Sequence, residues 1–252
     1  MKQGFIIPVY RHCGTVGQLI KKLICFNIPV IIIDDGNSPS DKAFLKNLTA
    51  ENTQTVLVSL KKNIGKGGAL AHGFEKAVEL GLTHVFQIDA DGQHDLETAA
   101  FFLEESAKHP EKIICGYPVF DKSAPGSRVT GRKISNLWGA IVTLSDELKD
   151  VLCGYRVYPV QESLRITRDP FMDKRMGFDT EILVRLYWNG VFPVFHDVRI
   201  NYPQNGFSNF RMIKDNLHIS WMFSRLFIGM LIRLPMLIVL KLKRGKKKYE
   251  KR

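Results

Sequence analysis

Apolar residues along this chain fall into short blocks that alternate with stretches of helical spacing. Gly4 to Val9 predicts a strand ending at Pro8-Val9-Tyr10, and Thr15 to Phe26 has the spacing of a helix. Pro29 to Ile33 predicts a second strand whose apolar part is wholly β-branched, as a sheet buried on both faces requires. Lys42 to Thr49 is helical, Thr55 to Leu60 a third strand, and Gly67 to Leu80 a helix. His84 to Ile88 then forms the next apolar block. This alternation predicts a parallel sheet with crossover helices. Beyond it the pattern predicts a helix over Leu96 to Lys108, a strand over Lys112 to Gly116 and a long helix over Ser127 to Leu144. Cys153 to Pro159 is expected to be extended, Gly177 to Asn189 helical and Val191 to Asn201 a strand. No linker separates the two halves.

The last apolar block is of a different kind. Ile219 to Leu240 is rich in aromatic and aliphatic residues, but Arg225 and Arg233 interrupt it and Pro235 is expected to kink it. It therefore lacks an uninterrupted apolar span of roughly 18 residues. With the basic residues that follow, it predicts an amphipathic interfacial helix, and hence a domain over 1–216 with a membrane-associating appendage over 217–252. The rival reading is a core helix followed by a tail.

Composition changes the picture at two points. The 252 residues, 45% hydrophobic and 24% charged, suit a globular protein with a substantial core. The net charge of +11 points to nucleic acid until it is located: Lys241 to Arg252 holds eight basic residues and one Glu, +7 of the total. A nucleic-acid surface would spread basic residues over the fold and among aromatics, so no nucleic-acid partner is expected. The tail suits an anionic membrane surface instead. Cys13, Cys25, Cys115 and Cys153 lack metal-ligand spacing, and no secretory signal precedes the first strand. The expectation is a reducing cytoplasm, with the protein peripheral on the inner face of the plasma membrane.

Candidate chemistry begins where the fourth apolar block ends, in Asp89-Ala90-Asp91-Gly92-Gln93-His94. Two carboxylates one residue apart, at the carboxyl end of a buried strand, would face one hard cation if the backbone stayed extended. The plainer alternative is an acidic turn leading to the next helix, with Asp95 before Leu96. Asn63-Ile64-Gly65-Lys66-Gly67-Gly68-Ala69 lies between a strand and a helix. Its glycines suit either an anion at a helix N-terminus or a tight turn, and it is not a Walker loop. Asp34 and Asp35 end the second strand, where an acid can accept hydrogen bonds from a base or ribose, or simply form an Asp-Gly turn.

In this order, with Cys153-Gly154-Tyr155-Arg156-Val157-Tyr158 and Phe178-Asp179-Thr180-Glu181, these segments resemble the family-2 glycosyltransferases over nearly all of Phe5 to Arg211. The likeness is to the branch related to dolichyl-phosphate mannosyltransferase, and within it to the small glycosyltransferases of bacterial aryl-polyene and related lipid gene clusters. The resemblance implies a GT-A fold: an α/β structure with a mostly parallel central sheet flanked by helices. It implies an inverting transfer from a nucleotide-diphosphate sugar, with Mg²⁺ or Mn²⁺, to a lipid-linked or polyprenyl-phosphate-like acceptor. Asp89 and Asp91 match the family's metal pair and Gln93 a ligand of the polyprenyl-phosphate branch. Pro8, Tyr10, one of Asp34 or Asp35, Lys66 and Asp89 match donor positions. Arg132 and Ser135 resemble the pair that grips an acceptor phosphate. Arg156 and Arg199 are further candidates for anionic groups, since the guanidinium fork suits phosphate oxygens.

Two departures stand out. Arg11-His12 replaces the Asn-Glu that many relatives carry after Pro-x-Tyr, and Asp179-Thr180-Glu181 replaces their Glu-Asp. Asp179 is the preferred catalytic base, with Glu181 the alternative, and an acceptor phosphate would need neither. His94 reads as a helix-start residue rather than a catalyst. The rival functions are a catalytically degenerate membrane-bound scaffold or lectin-like module, which the intact Asp89/Asp91 pair argues against, and a nucleotidyltransferase. The latter would want a triphosphate loop that Pro8 to Thr15 does not supply.

Overall fold

A computed structural model describes residues 1–93, 96–119, 126–199 and 212–249, with backbone alone for 126–128, 212–214 and 245–249. His94, Asp95, the Asn201 end of the last predicted strand and residues 250–252 lie outside the described residues.

Four strands form the parallel half of the sheet: β1 (Gln3–Val9), β2 (Val30–Asp34), β3 (Thr55–Ser59) and β4 (His84–Gln87). The helices α1 (Cys13–Leu23), α2 (Pro39–Ala50) and α3 (Lys66–Glu79) cross between them. Then follow α4 (Ala99–Lys108), β5 (Ile113–Val119), α5 (Gly126–Thr143), β6 (Arg156–Pro159), α6 (Val160–Thr167), α7 (Phe178–Trp188), β7 (Pro193–Arg199) and α8 (Met212–Tyr249). The seven strands run in the order β3-β2-β1-β4-β6-β5-β7, and β6 is antiparallel to both its neighbours. The predicted alternation and extended Cys153-to-Pro159 stretch thus become one mostly parallel sheet.

Both faces of the sheet are covered, and the strand sequences show why. Phe5, Ile7, Val9, Val30 and Ile32 enter one buried cluster with residues of α1, α2 and α4. Ile6, Ile31 and Ile33, the alternate positions, enter the other with α3, α5, α6, α7 and α8. A strand apolar at every position is what this arrangement needs.

α8 differs from its prediction. It runs 38 residues without a break through Pro235, which is exposed, so water can reach the carbonyl that the proline leaves without a donor. Over Asp215–Arg244 it is long and apolar enough to cross a membrane by length and composition, an 18-residue stretch within it having mean hydropathy 1.9. Arg225 and Arg233 do not disqualify it on composition, as the sequence reading had it. Yet Met222, Phe223, Leu226, Met230 and Leu237 are buried in the core. The arginines of the same helix also face the domain: Arg225 pairs with Glu181, Arg233 lies 4.9 Å from the Trp188 ring centroid, and Arg244 pairs with Glu147. The helix is therefore fastened along the domain, and the boundary expected at 216/217 falls inside it. Its other side exposes Trp221, Ile228, Leu231, Ile232, Val239 and Leu242, with Ile134 and Leu137 of α5 also exposed.

Candidate active site

The carboxyl ends of β1, β2 and β4 meet at one edge of the sheet, where Val9 is in register with Asp34 and the amide of Ile88 donates to Ile6. β6 reaches the same edge from the opposite direction, with Arg156 beside Gln87. Open α/β sheets place ligands at this edge.

Lys66 is the centre of the arrangement. Its ammonium lies 2.8 Å from Asp89 Oδ1, 2.9 Å from Asp89 Oδ2 and 2.7 Å from Asp179 Oδ2. Gln87 Nε2 donates to Asp89 at 3.3 Å and to Asp179 at 3.2 Å, so an amide and an ammonium both bridge the two carboxylates. Burial acts to lower the lysine's pKa, but the attraction of Asp179 and Asp89 outweighs it and holds the amine charged. Sequence reasoning had assigned Lys66, Asp89 and Asp179 separately; the fold joins them. It missed Gln87, a polar residue inside an otherwise apolar block, which was the available signal. It also missed the role of Gly154: a Cβ there would lie 2.6 Å from both Lys66 Nζ and Gln87 Nε2.

The glycine loop does something other than cradle an anion. The first free amides of α3, those of Gly67 and Gly68, donate to the carbonyl of Lys174 at 3.0 and 3.3 Å. A Cβ on Gly67 would meet the Phe178 ring at 2.4 Å and the Asp173 carbonyl at 2.7 Å. At Gly65, where φ is +92°, it would meet the Lys174 carbonyl at 2.3 Å. These glycines admit the 173–178 segment to the start of α3. Two amides of this N-terminus are thus taken by protein.

The other candidates divide. Pro8 and Tyr10 are half-buried at the end of β1. Asp34 is wholly buried, and its Oδ1 accepts from the backbone and side-chain amides of Asn37. Asn37 in turn accepts from the amide of Arg11, whose φ of +62° is unusual for a residue with a side chain. The Arg11 guanidinium sits 5.0 Å from the Tyr10 ring centroid. Asp35 accepts from the amides of Ile64 and Gly65 and the side chain of Asn63. Both acids thus order the loops around the edge. Arg132 pairs with the buried Asp150, Ser135 is half-buried one turn on, and Arg199 is exposed at the end of the outermost strand.

Two residues differ from expectation. Arg156 is fully buried and donates to the backbone carbonyls of Asp179 and Val151, a structural cation with no route to a phosphate. Glu181, two residues past Asp179 on α7, points nearly opposite on the helix. It is fully buried against Arg185 and Arg225, held as an ion pair away from Lys66.

The Asp-x-Asp segment is a turn after β4, not a continued strand. Asp91 Oδ1 accepts from the Gln93 amide, Gly92 has φ +71°, and Thr15 of α1 donates to the Ala90 carbonyl. Among the described residues no group of three or more His, Cys, Asp or Glu side chains could hold a metal by itself. Asp91 is partly open to solvent, whereas both oxygens of Asp89 lie against Lys66, so an ion of the Mg²⁺ type would have Asp91 to bind and would need Asp89 to turn from the lysine. Such ions take one or two carboxylates and complete their shell on substrate phosphates.

Comparison with known proteins gives the family and the fold. The model of glycosyl transferase family 2 matches residues 5–201. The chain is 26% identical over 189 residues to an undecaprenyl-phosphate mannosyltransferase of Micrococcus luteus, covering 71% of the chain and 75% of that protein. It is 26% identical over 173 residues to a UDP-N-acetylglucosamine–dolichyl-phosphate N-acetylglucosaminyltransferase of Methanococcus voltae, covering 64% of the chain and 66% of that protein. Among solved structures it resembles the glucosyl-3-phosphoglycerate synthase of Mycobacterium tuberculosis in complex with Mn²⁺, UDP-glucose and phosphoglyceric acid. There the TM-score is 0.60 at 14% identity, over 92% of this chain and 78% of that one, a likeness of fold.

Proposed function

Because the chain belongs to glycosyltransferase family 2 and is a glycosyltransferase, we propose that it moves a sugar, with inversion, from a nucleotide-diphosphate donor to a polyprenyl-phosphate-type lipid at the cytoplasmic face of a membrane. The observation that carries this reading is the Lys66 bridge between Asp89 and Asp179 at the carboxyl edge of β4. The names of the curated relatives, which act on undecaprenyl and dolichyl phosphates, support the lipid acceptor.

The residues divide the work as follows. Tyr10 and Arg11, with the loops that Asp34 and Asp35 order, offer the nucleotide its binding surface. Asp89 and Asp91, with Gln93, would hold Mg²⁺ or Mn²⁺, and such an ion, when bound, neutralises charge on the diphosphate as it leaves. Lys66 supplies fixed positive charge in the same place, and preorganised charge of this kind is where most of such catalysis arises. Asp179 has both oxygens engaged, by Lys66 and Gln87, so it would have to release one to accept a proton. An acceptor phosphate, already ionised near neutral pH, asks for no base. Arg132, Ser135 and Arg199 remain the cationic and hydroxyl groups proposed for it. The exposed apolar side of α8 and the α5 residues Ile134 and Leu137 would rest on the bilayer, with the basic tail on anionic headgroups.

Calorimetric titration of UDP-, GDP- and dTDP-sugars with Mn²⁺ and with chelator, on wild-type and Asp91→Asn protein, tests the donor site. Metal-dependent binding of one nucleotide class, weakened roughly tenfold or more in the variant, is expected. A folded protein that binds none of them overturns the reading.

A further inference from the structure

The segment that caps α3 is itself held from α8. The Asp173 amide donates to Glu181 Oε2 at 2.9 Å, and Arg225 of α8 donates to the same oxygen at 2.9 Å. Arg225 also donates to the carbonyl of Phe171. Two turns earlier on α8, His218 Nε2 lies 2.7 Å from Asp173 Oδ2. Next in the chain comes Lys174, whose carbonyl caps the first amides of α3. Lys66 is the first residue of α3, and Asp179 is the second of α7, which carries Glu181 two places later. The contacts run unbroken from α8 to both ends of the Lys66–Asp179 pair. Glu181 is entirely buried, so losing one of its arginines leaves a charge short of a partner, and neighbouring groups must shift to meet it.

Resting on the glycosyl-transfer reading, we propose that Arg225, with His218, is a positioning residue for the transfer. α8 sets the register of the 171–175 segment, and that segment fixes where Lys66 meets Asp89 and Asp179. The membrane-facing helix thereby shapes the catalytic cluster as well as seating the protein on a bilayer.

The test uses the full chain in four forms: wild type, Arg225→Met, Arg225→Lys and His218→Gln. Each is assayed for hydrolysis of whichever UDP-, GDP- or dTDP-sugar the wild type turns over in solution, and for transfer from it to undecaprenyl phosphate in mixed micelles. Small displacements of reacting groups cost up to about a hundredfold in rate, so a loss of roughly tenfold in kcat is expected for Arg225→Met in both reactions. KM for undecaprenyl phosphate and binding to vesicles of phosphatidylglycerol and phosphatidylethanolamine should stay unchanged, and Arg225→Lys should recover most of the rate. His218→Gln, which leaves the Glu181 pairs intact, should lose about threefold, so the result does not hang on the folding of one variant. Wild-type donor hydrolysis in both the Met and the Gln variant overturns the proposal, as does a loss confined to the lipid acceptor. A wild type that turns over no nucleotide sugar overturns the glycosyl-transfer reading, and this inference falls with it.

Discussion

Two glycines separate chemistry from folding in this protein. A methyl group at Gly154 would press on the Lys66 ammonium and the Gln87 amide, both at the far ends of side chains that can move. Gly154→Ala is therefore expected to keep its melting temperature within a few degrees while turnover falls by about a hundredfold, because the displaced amine no longer bridges the carboxylates. Parallel melting curves and steady-state rates check this. At Gly67 the same methyl meets a buried aromatic ring and a backbone carbonyl, which cannot step aside. Gly67→Ala should lose about 1–3 kcal/mol of stability in denaturant melts, whatever happens to its activity. The two glycines stand in different motifs, and the neighbours of each decide what a methyl group there disturbs.

At the scale of the elements, α8 has two apolar sides with separate duties. Met222, Leu226, Met230 and Leu237 face the core, whereas Trp221, Ile228 and Ile232 face outward. Replacing Trp221 and Ile232 by serine should weaken binding to anionic vesicles and raise KM for undecaprenyl phosphate several-fold, with hydrolysis of the soluble donor unchanged. Vesicle sedimentation beside the two kinetic assays checks this, and a parallel loss of donor hydrolysis would contradict it. The helix also shows how far the sequence could be read. Its existence was legible from the apolar run. Which arginines face the protein was not, because Arg225 and Arg233 find their partners in Glu181 and Trp188, more than 40 residues away along the chain. The strands of the first half were legible nearly to the residue, since a strand buried on both faces is apolar at every position. Glu181 and Asp179 were ambiguous because two residues along a helix reverse the direction of a side chain, which a linear motif does not display. The glycine loop stayed open between an anion site and a tight turn for a related reason. An uncapped helix start and one capped by a distant carbonyl have the same sequence.

At the scale of the whole molecule, the polypeptide is a single layered body in which the acidic cluster draws on residues 66, 87, 89, 154 and 179. The antiparallel course of β6 makes that possible. A parallel strand in its place would begin at the far edge of the sheet; β6 begins beside Gln87 and so brings the residues just before it to the reacting edge. This has a consequence for the chain during synthesis. β3, β2, β1 and β4 are complete once about ninety residues have emerged, but β4 is then an open edge, because its neighbour in the finished sheet is β6 and β5 lies beyond that. Lys66 and Gln87 gain the second carboxylate they bridge, Asp179, only after residue 179 has left the ribosome. A nascent chain of half length is thus expected to carry Lys66, Gln87 and Asp89 without Asp179, and so without the assembled cluster.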